Sequence, residues 1–362
     1  MLKKKPLGLL ALALSLLLVA AACGGDDSSG SGGTTTTGAG SASGVDYSAL
    51  SGSIKGSGSS FTDAFMQAAI DGFSDKSDLE VTYNAVGSGQ GKKDFGSNVT
   101  NFAGTDSLVK DGDGPTAGSF LYVPTVAAPI TVSYNLDGVK DLQLSPDTLA
   151  NIFQAKITKW DDAAIKADNP DADLPSDDII VAHRSDGSGT TSNFTKYLDA
   201  ASDAWTLGGG DTVAWPTSTQ GAEKNGGVAK LVKDNHGAIG YVDLSDAEAS
   251  GLTFAKIKNA NGKFVAPTIE GAAAAVAGAT PTADVTYNPL NVAGDDVYPI
   301  TSPTYVLVRT SYADKATADN VKGFVTFLLT DGQKLAGDVG YASLPDSLVQ
   351  QALAQLDKIK VG

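Results

Sequence analysis

Three short stretches of glycine and hydroxyl residues are the parts of this chain best suited to chemistry. They are Gly56-Ser57-Gly58-Ser59-Ser60-Phe61, Gly87-Ser88-Gly89-Gln90-Gly91 and Ser185-Asp186-Gly187-Ser188-Gly189-Thr190. Each follows a strand-like run and precedes a helix-like one. A helix start exposes unpaired N–H groups and the positive end of the macrodipole. Glycine lets backbone approach a ligand closely, and serine or threonine hydroxyls add short-range donors. Such a turn holds an anion without a formal positive charge. One turn alone reads as an ordinary helix cap; three together, one beside an arginine, read as a site. Only two arginines occur, Arg184 and Arg309. Arg184 opens the third turn, and its planar fork suits two oxygens of a tetrahedral oxyanion. Asp186, two residues on, is placed to hold that fork. Nucleotide loops do not fit: Gly91-Lys92 is followed by Lys93 with Val86 five before Gly91, and Gly87, Gly89 and Gly91 are spaced GxGxG.

The elements that must carry these turns alternate, which points to an α/β fold. Strand-like runs are Ser53 to Gly58, Leu79 to Val86, Leu121 to Val126, Ile130 to Tyr134, Ile179 to Ala182, Ala238 to Val242 and Tyr305 to Val308, with Pro129 separating the third from the fourth. Between them, Phe61 to Phe73 places Phe61, Phe65, Ala68, Ala69 and Phe73 on one helical face. Further helices are expected at Gln90 to Phe95, Thr148 to Phe153, Asp161 to Lys166, Ser192 to Ala200, Val228 to Asp234, Lys315 to Leu329 and Leu344 to Ile359. Pro267 to Ala283 is a Gly/Ala/Pro-rich shift in composition, and no internal repeat is present.

The 362 residues include 26 Lys+Arg against 41 Asp+Glu, a net charge of −15, and 42% are hydrophobic. That apolar content builds sizeable cores, and the acidic balance argues against nucleic-acid or anionic-lipid surfaces. One cysteine and two histidines leave no disulfide framework, zinc ribbon or iron–sulfur centre. Lys3 to Lys5, the apolar Leu7 to Val19 and Ala20-Ala21-Ala22-Cys23 read as a secretory signal. Cys23 directly after small residues resembles the lipobox of bacterial lipoproteins, although Ala20 stands where leucine is commonest. The tract Gly24 to Gly44 has a tether's composition. Residues 1–22 are therefore expected to be a lipoprotein signal, Cys23 its acylated residue, and 23–47 a flexible tether.

From Ile54 to Leu356 the chain resembles the phosphate-binding proteins of bacterial phosphate ABC transporters. The likeness is carried by the first turn, by Val81 to Gly89, Phe102-Ala103-Gly104-Thr105-Asp106, Ile152-Phe153 through Lys156 to Asp162, Arg184 to Thr191, Gly237 to Val242, Pro299 to Ser302 and Tyr341 to Asp346. The Arg-Ser-Asp-Gly-Ser-Gly-Thr loop is the specific motif. The resemblance implies a two-lobed, type II periplasmic-binding-protein-like α/β fold with a hinge and an interlobe cleft. Lobe one would comprise 48–126 and 266–362, and lobe two 127–265. It implies a phosphate pocket of Ser60, Phe61, Ser88, Asp106, Arg184, Ser188, Gly189 and Thr190, with Asp186 behind the arginine; the family usually has threonine at Ser60. The implied role is delivery of inorganic phosphate to a membrane permease with a separate ATPase, by an exported, lipid-anchored monomer without cofactor or metal.

An aspartate in an anion pocket makes sense once the proton is counted. Phosphate near neutral pH still carries P–OH groups that donate to a buried carboxylate, whereas ionised sulfate has none. Leaving such a group unsatisfied costs about 1–3 kcal/mol, more when charged. Three other functions remain open at this point, one of them an adhesion or scaffold lipoprotein that would bind no small ligand. Binding of another oxyanion shares the turns but lacks the proton for Asp106. A phosphatase-type hydrolase using Ser188 with His183 or His236 has no Gly-x-Ser-x-Gly elbow in its favour, since Asp186 and Thr190 flank Ser188 and Val86 and Gln90 flank Ser88. Trp160, Trp205 and Trp215 are expected to be packing residues.

Overall fold

The computed structural model describes residues 44–362; the expected signal peptide, Cys23 and most of the tether lie outside the described residues. Eight strands form the frame: β1 (Ser51–Gly58), β2 (Asp78–Ala85), β3 (Phe102–Thr105), β4 (Phe120–Tyr134), β5 (Ile180–Arg184), β6 (Gln220–Ala222), β7 (Ala238–Asp243) and β8 (Thr301–Arg309). Their order in the sheet is β2-β1-β3-β8-β4-β7-β5-β6, with Thr253–Phe254 also paired to β4. β1, β2 and β3 run parallel, and β5, β6 and β7 run parallel. The helices used below are α1 (Asp63–Ser74), α2 (Ser88–Gly96), α3 (Gly189–Ala201), α4 (Lys224–Asp234), α5 (Ile269–Gly278), α6 (Lys315–Leu329) and α7 (Asp346–Leu356).

β4 joins two sheets. Its first part, Phe120 to Pro129, pairs antiparallel with β8, and its second part, Ile130 to Tyr134, pairs with β7. The first sheet thus holds β2, β1, β3, β8 and the first part of β4; the second holds the rest of β4, β7, β5 and β6. This two-lobed α/β architecture matches the fold class expected from the resemblance. One local expectation is corrected. Pro129 does not separate two strands, because the missing proline N–H falls where β4 changes partner, between the pairs Thr301↔Pro129 and Ile130↔Asp243. The chain therefore stays extended through a residue that normally ends pairing.

Burial follows the alternation. In α1, Phe65, Met66, Ala69 and Phe73 face inward, as the helical spacing requires. Phe61 lies in the turn before the helix rather than on it, yet is fully buried against Tyr341. Tyr47, Phe73, Phe324 and Phe327 make an edge-on aromatic group between α1 and α6. On the other side Phe153, Phe194, Trp215 and Tyr241 pack together, and Trp160 is fully buried. The composition shift near Pro267 proves to contain α5, whose Ala272, Ala275 and Val276 are buried.

Every parallel strand of interest runs its carboxyl end toward one place. β1 leads to Ser59–Thr62, β2 to Ser88, β3 to Asp106, and β5 ends on Arg184 itself. Ligands of open α/β sheets bind outside such strand ends. The convergence depends on Gly58, whose φ is +149° and whose added Cβ would stand 2.0 Å from the Gly104 carbonyl oxygen. Gly58→Ala is therefore expected to lower stability by roughly 2–4 kcal/mol, from backbone strain together with overpacking. Urea unfolding checks this; an unchanged midpoint would contradict the close approach of β1 to β3.

Candidate anion-binding site

On the first sheet, backbone is packed on backbone. The N–H groups of Val86 and Gly87 donate to the Gly58 carbonyl at 2.9 and 2.8 Å, and that of Ser59 donates to Gly104 at 2.9 Å. A Cβ on Gly91 would lie 2.3 Å from the Gly58 Cα, so the start of α2 rests directly on the first turn. These contacts bring the first two turns to Asp106, a residue only 2% exposed. Ser59 Oγ donates to Asp106 Oδ2 at 2.5 Å and Ser88 Oγ donates to the same oxygen at 3.2 Å. Asp106 Oδ1 is buried and has no hydrogen-bond partner. Burial pushes the Asp106 carboxyl up to about 7, against the opposing pull of the Ser59 and Ser88 hydroxyls and the Arg184 guanidinium.

The second sheet contributes the cation. Arg184 is 3% exposed. Its Nε donates to Asp186 Oδ1 at 2.7 Å and its Nη2 to Asp186 Oδ2 at 2.5 Å, the expected two-pronged link. Nη1 faces the other way, toward Asn225 Oδ1 at 3.3 Å and Thr190 Oγ1 at 3.5 Å. Ser188 caps α3, its Oγ accepting from the Thr191 N–H at 3.1 Å. Arg309, the other arginine, belongs elsewhere: it donates to the carbonyls of Phe95 and Thr100 and lies over the Phe95 ring.

The two sides meet in direct contact. The Gly89 N–H donates to the Gly187 carbonyl at 3.0 Å. A Cβ on Gly87 would fall 2.5 Å from Asp186 Oδ2 and 3.3 Å from Arg184 Nη2. One on Gly189 would fall 2.6 Å from Ser88 Oγ and 2.7 Å from Asp106 Oδ2. Ser60, Ser88, Asp106, Arg184, Ser188, Gly189 and Thr190 are thus drawn together. Phe61 stands slightly apart: its N–H already donates to Ser59 Oγ at 3.0 Å and its carbonyl accepts from the Tyr341 hydroxyl at 2.6 Å.

Three residues that complete this arrangement escape the sequence reading of the site. Ser59 holds the carboxylate. Asn225, at the start of α4, accepts from Arg184, donates through Nδ2 to Thr190 Oγ1 at 3.2 Å, and donates its backbone N–H to Ser60 Oγ at 3.2 Å. Asn193 Nδ2 contacts the carbonyls of Asp106 at 2.6 Å and Gly189 at 3.0 Å, and Ser302 Oγ at 3.0 Å. Its one sequence signal is a spacing of four from Gly189, which puts it on the helix face above the third turn.

The donor set suits binding better than bond-breaking. Hydroxyls, two helix starts and one already paired guanidinium lie near Asp106, whose Oδ1 is left without a partner. Ser188 Oγ is engaged by its own helix. His183 stacks on Trp215 with ring centroids 4.9 Å apart, sets Nδ1 2.9 Å from the Arg184 carbonyl oxygen and is kept below its ordinary pKa by burial. His236 pairs with Asp177 far from the turns. Neither ring contacts a serine hydroxyl among the described residues.

A two-lobed α/β chain whose sheets bring helix starts, hydroxyls and a buried arginine to one place has the form of a solute-binding protein, and the comparisons with known proteins agree. Residues 31–332 match the model of the PBP superfamily domain. The chain is 38% identical over 316 residues to the phosphate-binding protein PstS of Methanocaldococcus jannaschii, covering 78% of this chain and 79% of that one. It is 33% identical over 304 residues to the phosphate-binding protein PstS of Xylella fastidiosa, covering 82% and 83%. Among solved structures, a high affinity periplasmic phosphate-binding protein (PfluDING) superposes with a TM-score of 0.69 at 22% identity, over 84% of this chain and 93% of that one, which speaks for the fold. The chain belongs to the PBP superfamily and, within it, to the PstS family of phosphate-binding proteins.

The buried carboxyl makes stability depend on pH. Its pKa of about 7 in the folded chain stands above the ordinary carboxylate value. Stability from its proton is fully present below about pH 4 and is lost as pH rises through about 7. Ligand-free wild type should therefore lose stability across that window relative to Asp106→Asn, which keeps the shape and has no proton to release. Urea midpoints of both proteins from pH 4 to pH 8 check this; parallel curves would contradict a buried, proton-holding carboxyl.

Proposed function

We propose that this chain captures inorganic phosphate outside the cytoplasm and delivers it to the permease of an ABC transporter driven by a separate ATPase. The observation that carries the reading is Asp106 Oδ1, which among the described residues is buried without a partner beside the donors Ser59, Ser88 and Arg184. Above about pH 7, where Asp106 is ionised, a phosphate that still carries one proton satisfies it, while fully ionised sulfate meets it with like charge. The names of the PstS relatives and the shared fold support the same reading.

In this account the chain is a binding protein, not an enzyme. Ser60, Ser88, Ser188 and Thr190 offer hydroxyls, Phe61 and Gly189 shape the backbone at the two turns, Arg184 supplies the charge under the restraint of Asp186, and Asp106 tests for the proton. Lobe one is residues 48–126 with 266–362, and lobe two is 127–265. An anion touching both lobes favours the closed arrangement, so binding drives hinge closure. Export under a signal in residues 1–22, acylation of Cys23 and a tether over 23–47 would hold a monomer at the membrane surface near its permease.

Calorimetry with phosphate and sulfate at about pH 8, where Asp106 is ionised, tests the reading. Wild type should bind phosphate tightly and prefer it to sulfate, and Asp106→Asn should narrow that preference by roughly ten- to a hundredfold, the equivalent of an unsatisfied buried acceptor. Equal affinities for the two anions in wild type, or an unchanged ratio in the variant, would contradict it.

A further inference from the structure

We propose that Lys92 and Asp211 form a latch between the lobes that sets how long the anion stays bound. This rests on the reading of a cleft that closes around phosphate. Lys92 lies on α2, on the first sheet's side, and is only 1% exposed. Its ammonium donates to Asp113 Oδ2 at 2.8 Å, Asp211 Oδ2 at 2.9 Å, Ser107 Oγ at 3.3 Å and the Leu108 carbonyl at 3.5 Å. Asp113, Ser107 and Leu108 belong to the same side as the lysine. Asp211 alone comes from the other side, from the loop that follows α3.

Asp211 is tied to the site at two further points. Its Oδ2 also accepts from Ser107 Oγ at 3.0 Å, and Ser107 adjoins Asp106. Its carbonyl accepts from the Ser188 N–H at 2.9 Å, which holds the residue that caps α3. One aspartate thus links the serine turn of the second lobe to the residue next to the pocket carboxylate of the first.

The division of partners makes this a latch rather than a strut. Asp113 neutralises Lys92 within its own lobe, so the lysine does not need Asp211 in order to be charge-balanced there. The bond to Asp211 exists only where the two lobes are together, so its free energy counts toward the closed state alone. An interaction of that kind slows dissociation while leaving encounter largely unchanged. Because the ammonium is shielded from water, added salt screens the pair little. Asp211 and Lys92 are accordingly positioning residues, which act on the anion through the closure of the lobes.

Stopped-flow phosphate exchange on the full folded chain tests this with Asp211→Asn, which preserves the size and backbone contacts of the loop. Dissociation should accelerate about tenfold, association should stay within about twofold, and the phosphate-to-sulfate ratio should not change. Lys92→Met and the double variant complete a cycle in which the second substitution adds little to the first. A strut would behave otherwise, lowering the ligand-free unfolding midpoint while leaving exchange rates alone. Should Asp211→Asn not fold, Ser107→Ala removes one hydrogen bond from the same carboxylate and should speed dissociation about threefold. Wild-type dissociation in the variant that folds, or strictly additive effects around the cycle, overturns the latch while phosphate binding stands. Absence of phosphate binding by wild type overturns the function on which the latch rests.

Discussion

A single buried carboxylate governs this structure. Asp106 has one oxygen held by two serine hydroxyls and the other left without a partner. An ionised carboxylate in such a place is costly, and burial accordingly keeps its proton to about pH 7. Everything around it compensates. The helix starts at Ser88 and Gly189 point positive ends inward, and Arg184 brings the only guanidinium of the site. That guanidinium is itself restrained by Asp186, so the site is polarised without being strongly cationic. The acidic whole, at −15, makes the local dipoles more important still, because the long-range field repels anions.

Glycine is the material that makes the site possible. Where Gly58, Gly91 and Gly189 stand, any Cβ would intrude on backbone or on the carboxylate. The same substitutions that would seem mild in a loop would here push the turns apart. The two sheets also touch through contacts with no bulk between them, such as the Gly89 N–H on the Gly187 carbonyl. The packing around Asp106 and the contact between the sheets thus share one structural cause: backbone brought close to backbone where no Cβ fits.

Much of this was legible before any coordinates. Arg184 and Asp186 are two residues apart, so a local reading finds their link, and the three turns advertise themselves by composition. The alternation of strands and helices and the family resemblance gave the α/β class. What stayed hidden depends on distance along the chain. Ser59 and Asp106 are separated by 47 residues, Asn193 and Asp106 by 87, and Asn225 and Ser60 by 165, and no spacing rule connects residues so far apart. The continuity of β4 through Pro129 was hidden for another reason: whether a proline breaks a strand depends on which neighbour would have taken its N–H. The helix α5 was masked by Ala and Gly, which give little contrast between its faces.

On the proposed function, a hydrogen-bearing tetrahedral anion is gripped from both lobes, with its proton directed at Asp106. Neutron diffraction from a deuterium-exchanged crystal of the phosphate complex at about pH 8, where the free carboxyl has given up its proton, is the decisive measurement. The account predicts a deuteron between a phosphate oxygen and Asp106 Oδ1, with Arg184 Nη1 and the hydroxyls of Ser60 and Thr190 on the remaining oxygens. A phosphate bound to one lobe only, or one with no hydrogen shared with Asp106, would contradict it.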